Sequence, residues 1–339
     1  MENGRSWISE LAVRDEWLDL VKEDIIWPNL KIIDPHHHLW KRQKSVYEVD
    51  QFMNDAGSGH NIIKTVYIEC GAYYLENGPD YLKSLGEVQH ITKIIESSKE
   101  TSERSIISGI VSKVDLRSEG LRGLLGKHLK VAGKSLKGVR HSAAFSQDSL
   151  PYSIPGLGPS NLYLDPSYQY GANILGELNL SLDCWHYFAQ SNEFLKFLDH
   201  VTNTTIILNH FGMPVGLGST RYTGKLFDSW KYFINKISKK PNVFLKLGGL
   251  GMVDIGWGFH NRSEPIGSEE FSNLIKPMVI YAINALGPDR CMFESNFPVD
   301  RVSLSYHVLW NSFKRICLQF DKKSIEALFS GTAKKVYNL

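Results

Sequence analysis

Eight short runs of aliphatic and β-branched residues recur along this chain, separated by longer stretches of helical spacing. This rhythm constrains the fold more than any other feature. The runs are 31–38 (KIIDPHHH), 62–70 (IIKTVYIEC), 105–116 (SIISGIVSKVDL), 136–141 (LKGVRH), 178–184 (LNLSLDC), 204–210 (TTIILNH), 242–249 (NVFLKLGG) and 289–296 (DRCMFESN). Each is mainly apolar and ends in polar or ionisable residues. Strands buried on both faces read as continuous apolar runs, and strands alternating with helices build a parallel sheet. Eight such units predict an α/β fold, a (β/α)8 barrel whose strand ends converge on one face. The spacing between them predicts helices over 80–99, 119–131, 190–202, 226–239, 269–286, 302–319 and 323–336.

Residues 1–30 place Ile8, Leu11, Trp17, Leu20 and Val21 at helical spacing before Pro28, which predicts an N-terminal helical extension. The barrel then spans 31–339, and no linker divides the 339 residues into more than one domain. Three strand-to-helix connections are long: 142–165, 211–225 and 250–268. Long loops of this kind belong at the catalytic face of a barrel and are candidate lids. The segment VAGKS at 131–135 resembles the tail of a phosphate loop, but His128 stands where its first glycine belongs, so it is set aside.

Charge narrows the partners. Lys plus Arg number 38 against 36 Asp plus Glu, a net +2 that provides no footprint for nucleic acid or an anionic membrane. A small-molecule substrate is the expectation, and assembly into a homo-oligomer is left open. Cys70, Cys184, Cys291 and Cys317 lie far apart with no CxxC spacing, which argues against both a disulfide framework and a cysteine metal site. The first residues carry acids and no apolar core of a signal peptide, and no apolar run approaches the roughly 18 residues of a membrane span. The expected compartment is the cytoplasm.

The strand ends hold the chemistry. In an extended chain, residues two apart share a face, so His36 and His38 point together while His37 points away. With His210 at the end of the sixth run, they form a set suited to a divalent ion such as zinc, for which imidazole is a normal ligand. The same face collects Glu69, Lys113, Arg140, His141, Asp183, His186, Glu294 and Asn296. Trp40 and Trp257 are candidate pocket walls.

The motifs DPHHHLW, GVRH, LSLDCWHYFAQ, ILNHFGMP and FESNFPVD, taken in this order, resemble the amidohydrolase-related family. The nearest branch is that of the TIM-barrel lactone hydrolases, the sugar lactonases and 2-pyrone-4,6-dicarboxylate lactonase. The resemblance runs nearly end to end, and the closing ALFSGTAKKVYNL is similar to that family's last helix. It implies a hydrolase that sends water onto a polarised lactone carbonyl, with His36, His38 and His210 central as catalytic residues or metal ligands. Family members with bound zinc and members working without metal are both implied.

This chain departs from the family at strand eight, where Asn296 replaces the usual Asp. An amide is no general base near neutral pH and is a weaker ligand, which points towards weak or absent metal. Glu294, on the same face two residues earlier, and Glu69 are candidates to supply the missing charge, with Asp300 a weaker one. Arg140 and Lys113 suit a substrate carboxylate, by bidentate pairing and as a point charge respectively. His141, His186 and Asp300 are expected to flank the substrate. Two rivals remain: metal-dependent nonoxidative decarboxylation of an aromatic or unsaturated acid, and a ligand-binding barrel without catalysis.

Overall fold

The computed structural model describes residues 14–42, 45–100, 106–145, 157–220 and 222–339. Its strands, in chain order, begin with β1 (Lys31–His37), which is followed by a short antiparallel hairpin of β2 (Trp40–Arg42) and β3 (Ser45–Tyr47). Then come β4 (Asn61–Ile68), β5 (Ile107–Ser112), β6 (Leu136–Arg140), β7 (Ser181–Cys184), β8 (Ile206–Leu208), β9 (Val243–Leu247) and β10 (Cys291–Phe293). All but the hairpin stand side by side in one eight-stranded sheet, and every neighbouring pair is parallel. This is the expected barrel, each of its strands overlapping an expected run. The sheet closes beyond its last regular pairs. The Asn296 amide donates to the His36 carbonyl at 2.9 Å and the His38 amide to the Phe297 carbonyl at 2.8 Å. The seam of the barrel therefore runs through the histidine motif itself.

Helices on the outside cover the strands, and the longer ones among those expected, such as Leu121–Ala132, Lys225–Ile237 and Ser268–Leu286, bury their apolar stripes. The last covers 322–336 with one widened turn at Ala327–Gly331, and it carries Tyr337 to the barrel floor. Three elements lie outside the sequence expectation. The hairpin is the first, and a helix Val49–Ala56 that follows it is the second. The third is a helix Pro166–Glu177, capped by the Asp165 side chain. It contains two glycines, Gly171 and Gly176. In the fold, a Cβ at Gly171 would run into the Leu116 carbonyl oxygen, so glycine is there for close packing.

Of the expected N-terminal helix, only Asp15–Leu18 is helical among the described residues; residues 1–13 lie outside them. Of the three long connections, residues 146–156 of the first and 221 of the second also lie outside the described residues. The second and third pack on each other, with the Gly216 amide donating to the Asp254 carbonyl at 2.9 Å and Ser219 Oγ to the Gly256 carbonyl at 2.9 Å. No helix among the described residues is long and apolar enough to cross a membrane. All four cysteines are free.

Candidate active site

At the carboxyl end of the barrel, strand alternation sorts the three histidines. His37 turns outward, stacks on Phe52 with ring centroids 3.9 Å apart, and meets Thr65 Oγ1 at 3.0 Å. His36 and His38 turn inward, their Nε2 atoms 3.2 Å apart. His38 Nδ1 lies 2.8 Å from the Ile68 carbonyl, so Nδ1 carries the proton and Nε2 keeps its lone pair.

His210 arrives from β8 through a tight turn. His210, Phe211, Gly212 and Met213 all have positive φ, at 52°, 56°, 72° and 46°. Such left-handed backbone is costly for residues other than glycine and persists where the surroundings hold it. Here Trp230 Nε1 donates to the Phe211 carbonyl at 3.0 Å and helps pin the turn.

Glu294, one residue past β10, sits between two of these imidazoles. Its Oε1 is 2.7 Å from His210 Nδ1 and its Oε2 is 2.7 Å from His36 Nδ1. Glycines make the room: a Cβ at Gly248 would collide with Glu294 Cγ, and one at Gly249 would lie 2.6 Å from His210 Nδ1. Glu294 Oε1 this close to His210 Nδ1 requires a proton on that nitrogen, so His210 keeps its lone pair on Nε2. Burial first, then the charges of Lys246, His210 and His38, holds His36 well below the usual histidine range, and burial with Arg140 does the same for His38.

This donor set fits a divalent cation. His36, His210 and Glu294 bring ligand atoms within 4.8 Å of one another, all buried. Glu294 Oε2 has no partner in hydrogen-bond geometry despite its short distance to His36. Moreover, the His36 and His38 Nε2 atoms face each other across 3.2 Å, close enough for both to meet one cation.

The cleft above measures ≈ 460 Å³ to its open mouth and is lined by His38, Trp40, Arg42, Cys70, Arg140, Trp185, His210, Met252, Asn296 and Val299. A neighbouring hollow shares Arg42, Cys70, Arg140 and Trp185 with it and adds Glu69, Tyr74 and Lys113. Glu69 does not face the histidines. It is bound to Arg140, whose Nε donates to its Oε1 at 2.7 Å, and a second guanidinium nitrogen donates to its backbone carbonyl. Asp300 does not line the cleft; it lies behind Asn296, whose Nδ2 donates to it at 2.9 Å. Burial pushes Asp300 up to about 8 against the pull of that bond and of the Gly251 amide.

Three expected substrate contacts stand elsewhere. His141 follows the inward Arg140 and so turns outward, where its Nδ1 accepts from the Leu116 amide at 3.2 Å and its ring packs on Tyr168. His186 lies among Tyr163, Phe194 and Phe233 with its Nδ1 2.9 Å from the Tyr163 hydroxyl. Trp257 stacks on Phe259, with centroids 5.7 Å apart, inside the paired loops. Alternation alone placed His141; the other two depend on how the chain turns after its strand.

Two residues went unread in the sequence. Arg42 enters the cleft from the hairpin, stacked over Trp40 at 4.5 Å. Lys246, buried in the middle of β9, lies 2.7 Å from Asp183 and 3.3 Å from His36 Nδ1. The signal for it was a lysine inside an otherwise apolar strand, VFLKL.

A parallel eight-stranded barrel with imidazoles and a carboxylate gathered at its carboxyl end has the layout of a barrel enzyme, whose active site lies at that end. The chain belongs to the amidohydrolase family, whose model, described as "Amidohydrolase", matches residues 129–339. It is 29% identical over 333 residues to the uncharacterized protein y4mH of Sinorhizobium fredii, covering 92% of this chain and 99% of that one. It is 22% identical over 320 residues to the L-fucono-1,5-lactonase of Burkholderia multivorans, covering 91% and 96%. Among solved structures, an amidohydrolase from Burkholderia multivorans with bound zinc superposes with a TM-score of 0.68 at 18% identity, covering 91% of this chain and 99% of that one. The lactone-hydrolase resemblance of the sequence motifs agrees with these relatives, and the protein is an amidohydrolase-family hydrolase.

Proposed function

We propose that the protein opens the lactone ring of a small sugar-derived or aromatic-catabolic molecule that carries an acidic group. The observation that carries this reading is Glu294 held between Nδ1 of His36 and Nδ1 of His210, beside a cleft rich in cations. The likeness to an L-fucono-1,5-lactonase supports the choice of a cyclic ester.

Glu294 fixes the tautomer of His210, which lines the cleft, and its charge strengthens the flanking imidazoles as donors, as carboxylate partners of imidazoles do. It is fully buried and does not line the cleft, so it acts through the imidazoles and not directly on water. His36, His38 and His210 are the residues that would hold a divalent ion; such an ion polarises the ester carbonyl and lowers the pKa of water. Asn296 offers a hydrogen-bonding group at the cleft but accepts no proton at neutral pH.

The substrate's anionic arm lies towards Arg140, Arg42 and Lys113. One carboxylate, Glu69, faces these three cations, and Arg42 and Lys113 have no ion-pair partner among the described residues. The Tyr74 hydroxyl in the same hollow is buried without a partner. An unpaired buried hydroxyl is costly, and a substrate oxygen offsets that cost. Trp40 and Trp185 wall the cleft against water.

A panel of neutral and carboxylate-bearing lactones, assayed by acid release with added zinc and after chelation, tests the proposal. Turnover of acidic lactones in preference to neutral ones is the expected result. Release of carbon dioxide without ring-opened acid would assign decarboxylation instead, and binding without turnover would assign a ligand-binding barrel.

A further inference from the structure

Strand eight of this chain carries a two-residue device that the replacement of Asp by Asn does not by itself explain. Asn296 lines the cleft with φ of 56°, a left-handed conformation that Asn tolerates better than most residues. Its Nδ2 is engaged by Asp300 Oδ1 at 2.9 Å, and its Oδ1 has no hydrogen-bond partner among the described residues. Asp300 is fully buried, and its second oxygen accepts the Gly251 amide at 2.9 Å. The position is built closely. A Cβ on Gly251 would come within 3.0 Å of Asp300 Oδ2, and Ser303 Oγ holds the Gly251 carbonyl at 2.6 Å. Two N–H donors from different loops therefore converge on one carboxylate, and only an acceptor on both oxygens satisfies them.

We propose that Asp300 is a positioning residue that locks the Asn296 amide with its oxygen towards the cleft, so that strand eight presents a neutral oxygen donor beside the three imidazoles. The carboxylate has been moved one side chain back from the cleft. Had Asn296 been free to turn, its NH2 would face the same space and would repel a cation. The inference rests on the reading of this cleft as the reactive site, and it concerns how the chain meets a cation there.

The side-chain chemistry sets up a sign reversal that packing alone does not produce. In D300N the new amide can accept from Gly251 or from Asn296 but not from both. Its own NH2 then donates to the Asn296 oxygen and turns that oxygen away from the cleft. In the double swap N296D/D300N, the amide now at position 300 keeps its oxygen for Gly251 and gives its NH2 to the carboxylate now at position 296. Every hydrogen bond is restored, and a charged oxygen faces the cleft.

The experiment is zinc binding to the purified full-length proteins by competition with a chromophoric chelator at pH 8.5, with melting temperatures recorded beside it. D300N is expected to bind zinc about 10- to 100-fold more weakly than the native protein, the range for loss of an outer partner of a ligand. N296D/D300N is expected to bind at least about 10-fold more tightly than native, since it supplies a carboxylate in place of an amide. An affinity order in which the double swap exceeds native and native exceeds D300N supports the proposal. Equal affinities in all three, a parallel loss in both variants, or no zinc binding even in the folded double swap would overturn it. Lactone hydrolysis is scored separately: its absence with the affinity order intact removes the proposed reaction and leaves this inference standing. A flat affinity order with hydrolysis intact does the opposite.

Discussion

Two buried polar clusters share the inside of this barrel, and they are built on opposite principles. The lower one is closed. Asp183 accepts Lys246 Nζ at 2.7 Å, Asn209 Nδ2 at 3.0 Å and the Tyr337 hydroxyl at 2.9 Å to each of its oxygens. Its charge is neutralised and its lone pairs are used, which is the condition for a buried ion pair to persist. The upper one is open. Its carboxylate has an oxygen outside hydrogen-bond geometry, two imidazole Nε2 atoms face each other at 3.2 Å, and its polypeptide is held in left-handed turns at His210 and Asn296. Satisfied polar clusters hold a core together; an incompletely satisfied one among strained backbone marks where an external group completes the bonding.

The largest expected effect separates the two directly. D183A leaves the buried Lys246 ammonium with only the more distant Glu294 carboxylate at 4.0 Å, so it should cost about 3–5 kcal/mol of stability. Chemical denaturation reads that loss, and a shift below about 1 kcal/mol would mean that the lower cluster is not what holds the floor. E294Q tests the upper cluster. Its neutral amide removes the charge that flanks both imidazoles and puts an NH2 where one carboxylate oxygen stood, so turnover should fall about 100-fold while the melting temperature changes little. A variant that unfolds before it loses activity would place Glu294 with the structural group.

Acid response sharpens the contrast on the outside of the barrel. Burial holds His37 and His186 down to about 3 from an ordinary value near 6.5. The unfolded chain binds protons that the folded chain refuses between these values, so the contribution of these rings is constant above about pH 7 and stability falls as pH drops through 6.5 towards 3. At pH 5 each ring should cost up to about 2 kcal/mol, and H186Q should flatten part of that slope in denaturation measured from about pH 7 to about pH 5. The smallest effect concerns the substrate's arm. R42M should raise KM for an acidic lactone about 10-fold with kcat nearly unchanged, and a neutral lactone should be indifferent to it. Equal effects on both substrates would remove Arg42 from anion recognition.

Particular residues show what was legible. The inward pairing of His36 with His38 and the outward turn of His37 follow from strand alternation, and the same rule puts Glu294 and Asn296 on one face. The rule also turns His141 away from Arg140, a consequence that a list of polar strand ends overlooks. Nothing in the local pattern announces that Glu69 would be taken by Arg140, 71 residues away. Nor does it announce that Arg42 would come over the cleft on a hairpin of three-residue strands.

By itself the sequence determined the number of barrel strands, their order and the residue types at their ends, because periodicity and burial are properties of neighbours along the chain. Only the tertiary structure decided which carboxylate serves the imidazoles, which is consumed by a guanidinium, and which stands behind an amide. Those choices depend on distances of 2.7 to 2.9 Å between groups brought together by closure of the sheet. A one-dimensional pattern holds no information at that scale.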